Sequence, residues 1–502
     1  MSVEKVAPLI DEQIPIAEAL KKVVRLSLPN VASCLILFLS NVATVQSFSQ
    51  RDALKEVSAI GLGGFMFSMF GLAIALGLSG ALDTVVSQAI GSGQSKVATV
   101  NLAQARLVTL LAVVPCGIIL FFTKEILVLL GQNASFAAQS AKYVHWQLFG
   151  LFPLFWYSAL SCFLRASNRT TSPLIANIVG TVVHSALSLG LLYFAEMGVM
   201  TAGLIASGSN IVRWIILEVY ILMLPASERD ICSLPAFFKQ ISRKADFAKI
   251  VAGLGAFVML ALPSTMMMWS EWFAAEAQAL IAGGTQKEYL PASIELATIA
   301  VMAFMVPVGI CQTSSFLVGS SLGEGKANRA KAYGVASLYL TAFAMTVIAI
   351  VFYLIRTYLV SADHVNKTTT DKYIDPKVVF QQMMKAFPVL CAFIWIDGVQ
   401  TVLEGVLRGM RAQKKAVWIK MFCMFGVRIA LGFVLCSIAK DGVRGLYTAA
   451  LVAMILSSSA YMIMLYRADW YAKAREAQEI NEKSNQKIQL ADNVSTPGAI
   501  TV

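Results

Sequence analysis

The sequence predicts an all-α, polytopic membrane protein with twelve transmembrane helices in two pseudo-symmetric six-helix lobes. Three observations lead to this prediction. Of the 502 residues, 57% are hydrophobic and only 14% are charged, whereas soluble domains usually carry about 25% charged residues. The apolar residues fall into twelve runs, most of them near the roughly 20 residues that a helix needs to cross a bilayer. Short motifs of the first half also return in the second half.

The twelve runs are the predicted spans. In chain order they cover residues 28–48, 58–82, 107–122, 143–163, 174–194, 201–224, 250–282, 292–318, 336–355, 383–406, 417–436 and 445–465. The seventh run is too long to cross the membrane upright. We therefore expect Pro263 to kink it, or part of it to lie at the membrane interface.

Lysines and arginines concentrate in alternate loops, and this pattern predicts that both termini are cytoplasmic. Residues 1–27 are then a cytoplasmic N-terminal segment, 28–224 the first lobe, 225–249 a cytoplasmic linker and 250–466 the second lobe. Residues 467–502 are polar and lose periodicity, so we expect a disordered cytoplasmic tail. The sequence does not distinguish the plasma membrane from a vacuolar or other organellar membrane.

Composition excludes several classes of protein. The net charge of +11 lies mostly in loops and tails, where it sets topology, so we expect lipid bilayer and no nucleic acid as a partner. The eight cysteines and three histidines are scattered, which predicts neither a metal site nor a disulfide framework. No catalytic serine or cysteine motif is present, and we expect neither an enzyme nor a cofactor.

Three motifs repeat between the two halves. The pairs are SQAIGSGQ at 87–94 with SSLGEGK at 320–326, LRA at 164–166 with LRG at 407–409, and Gly203-Leu204 with Gly445-Leu446. The spacings of Gly91 to Gly323, Arg165 to Arg408 and Gly203 to Gly445 are 232, 243 and 242 residues. Similar spacings predict a duplicated six-span unit in parallel orientation, which is typical of transporters whose binding site lies between the halves.

Acidic residues inside spans are the first candidates for function. Glu271 and Glu276 lie in the seventh span, and a charge at the membrane centre costs roughly 2.5–3.5 kcal/mol on insertion scales. We predict that they couple protons or cations to transport. The alternative is that they lie near a helix end, where lipid headgroups keep them wet.

Three more acids extend this prediction. Asp397 lies twelve residues after Lys385 and eleven before Arg408, which places it near the midplane, and we predict a coupling role. Glu404 follows on the same helix face as a relay or gate, unless it only pairs with a basic residue at the interface. Glu295 follows the outer loop closely, so external wetting is the alternative to coupling.

Candidate substrate ligands lie beside these acids. They are Trp272, Gln278, Trp395 and Arg428. The two indoles would hold an organic cation by cation–π contact, although packing or an interfacial belt explains a single tryptophan equally well. We expect Arg428 to pair with Glu404 or Asp397; alternatively it would hold an anionic substrate.

The same loops resemble the multidrug and toxic compound extrusion family. The resemblance is carried by ALDTVVSQAIGSG at 81–93, VGSSLGEGKANRAK at 318–331 and GVLRGMRAQK at 405–414. In addition, EWFAAE at 271–276 is similar to the acidic motif in span seven of eukaryotic members. The resemblance extends from about residue 20 to residue 466.

The resemblance implies secondary antiport, driven by inward flow of protons or, in some members, sodium. Its acidic positions match Glu271, Glu276, Glu295 and Asp397, and Asp83 matches an acidic position with a structural or gating role. Two features depart from the family pattern. The stretch 40–46 in the first span is uncharged, and Glu404 and Arg428 stand where small residues are usual.

We therefore predict an antiporter that exports small organic solutes, chiefly organic cations and xenobiotics, in exchange for protons. An antiporter for organic anions such as citrate remains an alternative. So does a lipid-linked oligosaccharide flippase, which would use Arg213 and Arg428 in a cationic cavity. A pore or membrane-embedded enzyme is a third class, and it would show ion current or turnover without a counter-substrate.

Overall fold

The computed structural model describes residues 14–50, 53–225, 229, 232–360 and 375–495, and within these ranges it contains helices and no strands. Twelve helices are long and apolar enough to cross a membrane, as predicted. They are α1 (Ile16–Ser49), α2 (Glu56–Gly91), α3 (Ser95–Phe121), α4 (Ala134–Ala166), α5 (Thr171–Phe194), α6 (Val199–Leu222), α7 (Asp246–Thr285), α8 (Tyr289–Gly323), α9 (Ala327–Leu354), α10 (Pro376–Gly409), α11 (Gln413–Ile438) and α12 (Gly442–Tyr466).

Shorter helices and local irregularities complete these elements. Short α-helices lie at Thr123–Leu129, Leu234–Ser242 and Arg356–Leu359. Short π-helical stretches interrupt the long helices at Ser68–Leu72, Ser188–Phe194, Phe422–Ile429 and Val434–Ile438. Each π turn accommodates an extra residue and rotates the side chains that follow it. Two of them lie in α11, which carries candidate site residues.

The internal repeat is visible in the backbone. Gly93 after α2 and Gly325 after α8 both have a left-handed conformation, with φ of 74° and 80°. Asn168 after α4 and Arg411 after α10 form a second pair, with φ of 61° and 55°. Such residues end helices by satisfying their last carbonyls. The matched motifs therefore specify matched helix ends.

Each lobe sends its first helix across to the other lobe. The early part of α1 contacts the second lobe, where the Asn30 amide donates to Thr313 Oγ1 at 2.9 Å. A Cβ at Gly309 would lie 2.6 Å from Val31 Cα, and one at Gly77 would lie 2.3 Å from Thr265 Cα of α7. Both crossings need glycine because the two backbones touch. The pair repeats the spacing of 232 residues from 77 to 309.

The lobes meet at the C-terminal ends of α2, α8 and α10, which are predicted to be cytoplasmic. Gln88 Nε2 donates to the Gly409 carbonyl at 2.8 Å, and Thr84 Oγ1 donates to the Arg408 carbonyl at 2.9 Å. A Cβ at Gly91 would lie 2.0 Å from the Ser320 carbonyl oxygen. This end of the bundle is closed, and opening it requires these bonds to break.

The tail differs from the sequence prediction. Residues Trp470–Ser495 form a helix, α13, so the expected disorder is wrong for this segment. Ala474, Ala477 and Asn481 are buried, and Ile488 joins the apolar core of the first lobe. These residues share one helix face. The sequence did not predict this buried face, because alanine and asparagine add little hydropathy.

The loop after α10 lies against the tail helix. Arg411 is partly buried there, and this burial lowers the pKa of its guanidinium to about 10, although the charge of Glu476 from α13 opposes this shift. The group therefore stays protonated at neutral pH. Its charge and that of Glu476 are complementary across the contact between α10 and the tail.

Candidate functional site

A lysine that the sequence reading overlooked lies at the centre of the second lobe. The Lys420 ammonium is 2.6 Å from Glu271 Oε2 and 2.6 Å from Glu404 Oε1. Its side chain is 1% exposed. The three groups come from α11, α7 and α10. A lysine inside an apolar run was a detectable signal, because charges within membrane helices usually pair.

Local sequence aims Lys420 into the lobe. The buried residues of the first turns of α11 are Gln413, Ala416, Val417 and Lys420. Their spacing of three and four residues defines one helix face, whereas Trp418 on the other side is exposed. The lysine therefore cannot reach the lipid headgroups without rotation of α11.

The buried face of α10 supplies most of the polar groups around Lys420. Gln400 Nε2 donates to Glu404 Oε1 at 3.3 Å, and Ser457 of α12 donates to Gln400 Oε1. Asp397 lies on the same face and is 7% exposed. Among the described residues, its Oδ1 atom has no hydrogen-bond partner. A buried carboxylate without a partner is costly unless it is protonated or a cation approaches it.

Arg428 does not form the expected ion pair with Glu404 or Asp397. Its Nε donates to Gln278 Oε1 at 3.0 Å, and Gln278 Nε2 donates to the Leu446 carbonyl at 2.7 Å. Glu404 already has a cationic partner in Lys420, which explains why Arg428 is directed elsewhere. Arg428 and Gln278, both candidates from sequence, are thus brought into direct contact.

Among the described residues, the remaining acids are not ion-pair partners of Lys420. Within the described residues, the partly buried Glu276 carboxylate forms no hydrogen bond or ion pair. Glu295 lies six residues after the start of α8 at Tyr289, about 9 Å along the helix axis. Asp83 is in the first lobe, where it accepts a 2.7 Å hydrogen bond from the Cys162 thiol. It adjoins Thr84, which holds the closed end.

The two tryptophan candidates differ in their exposure. Trp272 is partly buried. Trp395 is exposed and donates to Thr346 Oγ1 at 2.9 Å, and it lies about 200° around the helix from Asp397. The rings that pack together near Glu271 are instead Trp269 and Phe273, with centroids 5.1 Å apart, and Phe425.

The interior of the first lobe has a polar network without carboxylates among its recorded partners. Arg213 Nη2 donates to Ser40 Oγ at 2.8 Å and to Thr181 Oγ1 at 3.2 Å. The buried His184 bonds to Thr44 Oγ1 at 2.7 Å. Chemically, the second-lobe network can exchange a positive charge at its carboxylates, whereas the network around Arg213 presents neutral partners.

Comparison with known proteins agrees with this architecture. A model of the MatE family matches residues 29–189 and 263–434. The chain is 27% identical to Protein DETOXIFICATION 16 of Arabidopsis thaliana over 486 residues, covering 95% of this chain and 94% of that protein. It is 24% identical to Multidrug and toxin extrusion protein 1 of Xenopus tropicalis, covering 96% of this chain and 79% of that one.

Solved structures also share the fold. The crystal structure of the eukaryotic MATE transporter AtDTX14 superposes with a TM-score of 0.81 at 18% identity. The match covers 93% of this chain and 99% of that chain. At this identity the likeness shows the fold of two six-helix lobes.

Proposed function

Because the chain belongs to the MatE family of multidrug and toxin extrusion transporters, we propose that it exports small organic cations and other xenobiotics in exchange for protons. Family membership makes the chain a multi-pass efflux transporter and not an enzyme. The substrate class, the coupling ion and the membrane are the parts that we propose.

One observation carries the proposal of proton exchange. Asp397 is buried in the second lobe, and among the described residues its Oδ1 has no partner. It lies within electrostatic reach of Glu271, Glu404, Lys420 and Arg428. A carboxylate in this setting gains from one added positive charge, whether a proton or an organic cation. Because the two cannot occupy it together, binding of one promotes release of the other.

The closed end supports a mechanism of alternating access. With the lobes joined through Gln88 and Thr84, protons would enter from the opposite side and neutralise Asp397. Rearrangement would then break these bonds, open the cytoplasmic side and release the protons to a less acidic compartment. The ionised Asp397 would capture a cationic substrate there, and the return step would carry it outward.

The other acids have supporting roles in this proposal. Glu271 and Glu404 hold the network together through Lys420. Glu276 and Glu295, which are not ion-pair partners of Lys420, would guide cations along the path. We assign Asp83 to the gate, because it adjoins the bonds that close the lobes.

The arrangement supports a cationic substrate better than an anionic one. Within the described part of the chain, the two most buried basic side chains of the second lobe are engaged, Lys420 by two carboxylates and Arg428 by Gln278. An anion such as citrate would have to displace those partners. Arg213 in the first lobe is bonded to two hydroxyls, which leaves little exposed positive charge for a lipid-linked phosphate.

Uptake of radiolabelled tetraethylammonium into proteoliposomes under an imposed pH gradient tests the proposal. We expect gradient-driven uptake by wild type, uptake at the level of empty liposomes by Asp397→Asn, and normal uptake by Asp441→Asn. Asp441 is a matched control because it lies on a helix-linking turn with only a 3.8 Å pair to Arg444.

Two outcomes would contradict it. Normal uptake by Asp397→Asn would remove that residue from coupling. If wild type takes up citrate but no cation, the transported solute is an anion and Arg428 becomes its candidate ligand. Replacing the pH gradient by a sodium gradient distinguishes the two coupling ions.

A further inference from the structure

We propose that the Lys420 ammonium is a tethered cation that fills a cation site between Glu271 and Glu404, and that it thereby confines exchangeable positive charge to Asp397. Lys420 is on this view a positioning and specificity-determining residue. The consequence for coupling rests on the proposed proton exchange, whereas occupancy of the site by the lysine does not.

The geometry is that of a bound ion. Nζ is 2.6 Å from one oxygen of each carboxylate, so these two oxygens are at most twice that distance, 5.2 Å, apart. An ammonium is a compact point charge, unlike the planar guanidinium of arginine. Without it, two carboxylates this close would repel each other or share a proton. They would also form an oxygen-lined gap suited to a hard cation.

The surrounding charges support a division of roles. The titratable groups around Lys420 are Glu271 of α7, Asp397 and Glu404 of α10 and Cys423 of α11. Arg428 of α11 and Tyr461 of α12 lie beside the same carboxylates. Two of the three carboxylates contact the lysine directly. Asp397 is the acid whose Oδ1, within the described part of the chain, is left without a partner. Of these three carboxylates, Asp397 is therefore the one that offers an incoming cation an unfilled oxygen.

The fold does not require a cation at this position. Repeat spacing of 243 residues matches Lys420 to Asn177 in the first lobe. Asn177 accepts a 2.8 Å hydrogen bond from the Tyr157 hydroxyl and donates to Ser33. A neutral amide thus satisfies the same place in the repeated unit. The lysine and its two acids are features of the second lobe alone, which favours a role in selectivity over a role in folding.

Sodium binding by the purified protein in detergent tests whether Lys420 fills the site between Glu271 and Glu404, and this assay does not depend on transport. We compare binding of radiolabelled sodium, and thermal stability in NaCl against choline chloride at equal ionic strength. Lys420→Met should bind sodium at least about tenfold more tightly than wild type and should be stabilised by sodium specifically. Lys420→Arg and wild type should show neither effect.

Lys415→Met is the matched control, because Lys415 lies on the same helix but is exposed. Lys420→Gln, which keeps hydrogen-bond donors to both carboxylates, serves if the methionine variant does not fold. Sodium-specific stabilisation of wild type would overturn the proposal. So would the absence of sodium binding in the neutral variant.

Transport then tests the consequence for coupling. In liposomes, the uptake of tetraethylammonium by Lys420→Met should acquire a sodium dependence, and its pH profile should move to higher pH. Loss of the ammonium removes the charge that favours the ionised carboxylates, which gives the direction of this shift. A merely structural lysine would change the amount of folded protein and leave the pH profile in place. If wild type lacks pH-driven uptake, the proposed function fails while the binding result stands.

Discussion

The two lobes place different chemistry on matching positions. In the first lobe, Thr44 of α1 bonds to His184 of α5 at 2.7 Å. In the second lobe, Gln278 of α7 bonds to Arg428 of α11 at 3.0 Å. The members of these two pairs are separated along the chain by 234 and 244 residues, close to the repeat spacing. The first lobe thus has a weak base, His184, beside a hydroxyl, where the second lobe has a strong base, Arg428, beside an amide.

Duplication followed by substitution explains how the two lobes became asymmetric. Duplication conserved the helix ends, the glycine crossings and the positions that face each lobe interior. Substitution then placed Glu271, Glu404 and Lys420 in the second lobe only. Because only groups that change charge can store a proton, the carboxylate cluster suits the second lobe to coupling, whereas the hydroxyls around Arg213 in the first lobe keep their charge.

The largest loss of stability should follow from neutralising the two carboxylates that contact Lys420 while the lysine keeps its charge. The double variant Glu271→Gln/Glu404→Gln leaves a buried lysine without an anion, which we expect to cost about 3–5 kcal/mol. Thermal unfolding of the purified protein measures this loss. Adding Lys420→Met should recover much of it. If the triple variant is no more stable than the double variant, the ion pairs are not the source of the effect.

Alanine at either glycine crossing should destabilise the protein by a similar amount. Alanine at Gly77 or Gly309 would place a Cβ 2.3 Å from Thr265 Cα or 2.5 Å from the Val31 amide nitrogen. Such overpacking typically costs about 1–3 kcal/mol. Gly208→Ala is a control, since nothing lies within 4 Å of a Cβ there. Very unequal losses at Gly77 and Gly309, measured by thermal unfolding, would argue against equivalent crossings.

Loss of Arg213 from the first lobe should reduce stability less than loss of the ion pairs around Lys420 in the second lobe. Removing Arg213 by Arg213→Met leaves Ser40 and Thr181, whose hydroxyls already lie 3.0 Å apart and can bond each other. We expect a loss of about 1–2 kcal/mol and an unchanged pH profile of transport. A shifted profile would show that the first lobe takes part in coupling.

The smallest expected effect concerns a matched pair of strained residues. Glu196 and Lys440 have φ of 52° and 56°, and both are exposed. Replacing either by glycine should stabilise the protein by about 1 kcal/mol, because glycine adopts this conformation without strain. Chemical denaturation would detect the gain, and a loss in one lobe alone would show that its side chain makes a compensating contact.

Sequence reasoning found most of the fold and part of the site. The spans and helix ends follow from hydropathy and from turn residues such as Gly93 and Gly325, which act within a few neighbours. The acids of the site were found because a carboxylate in an apolar run is conspicuous. Lys420 was missed, although a lysine in an apolar run is equally conspicuous. Arg428 was assigned the wrong partner because its actual partner, Gln278, comes from a helix far away in sequence.

The sequence by itself determined twelve membrane helices, their duplication and the presence of buried acids, since each depends on local composition or on motif spacing. Only the tertiary structure decided that Lys420 joins Glu271 and Glu404, and that α13 packs against the bundle. Helix rotation and the π turns of α11 set which side chains meet, and neither leaves a simple periodic signal. The docked face of α13 consists largely of small residues, so its burial depends on the complementary surface of the folded lobes.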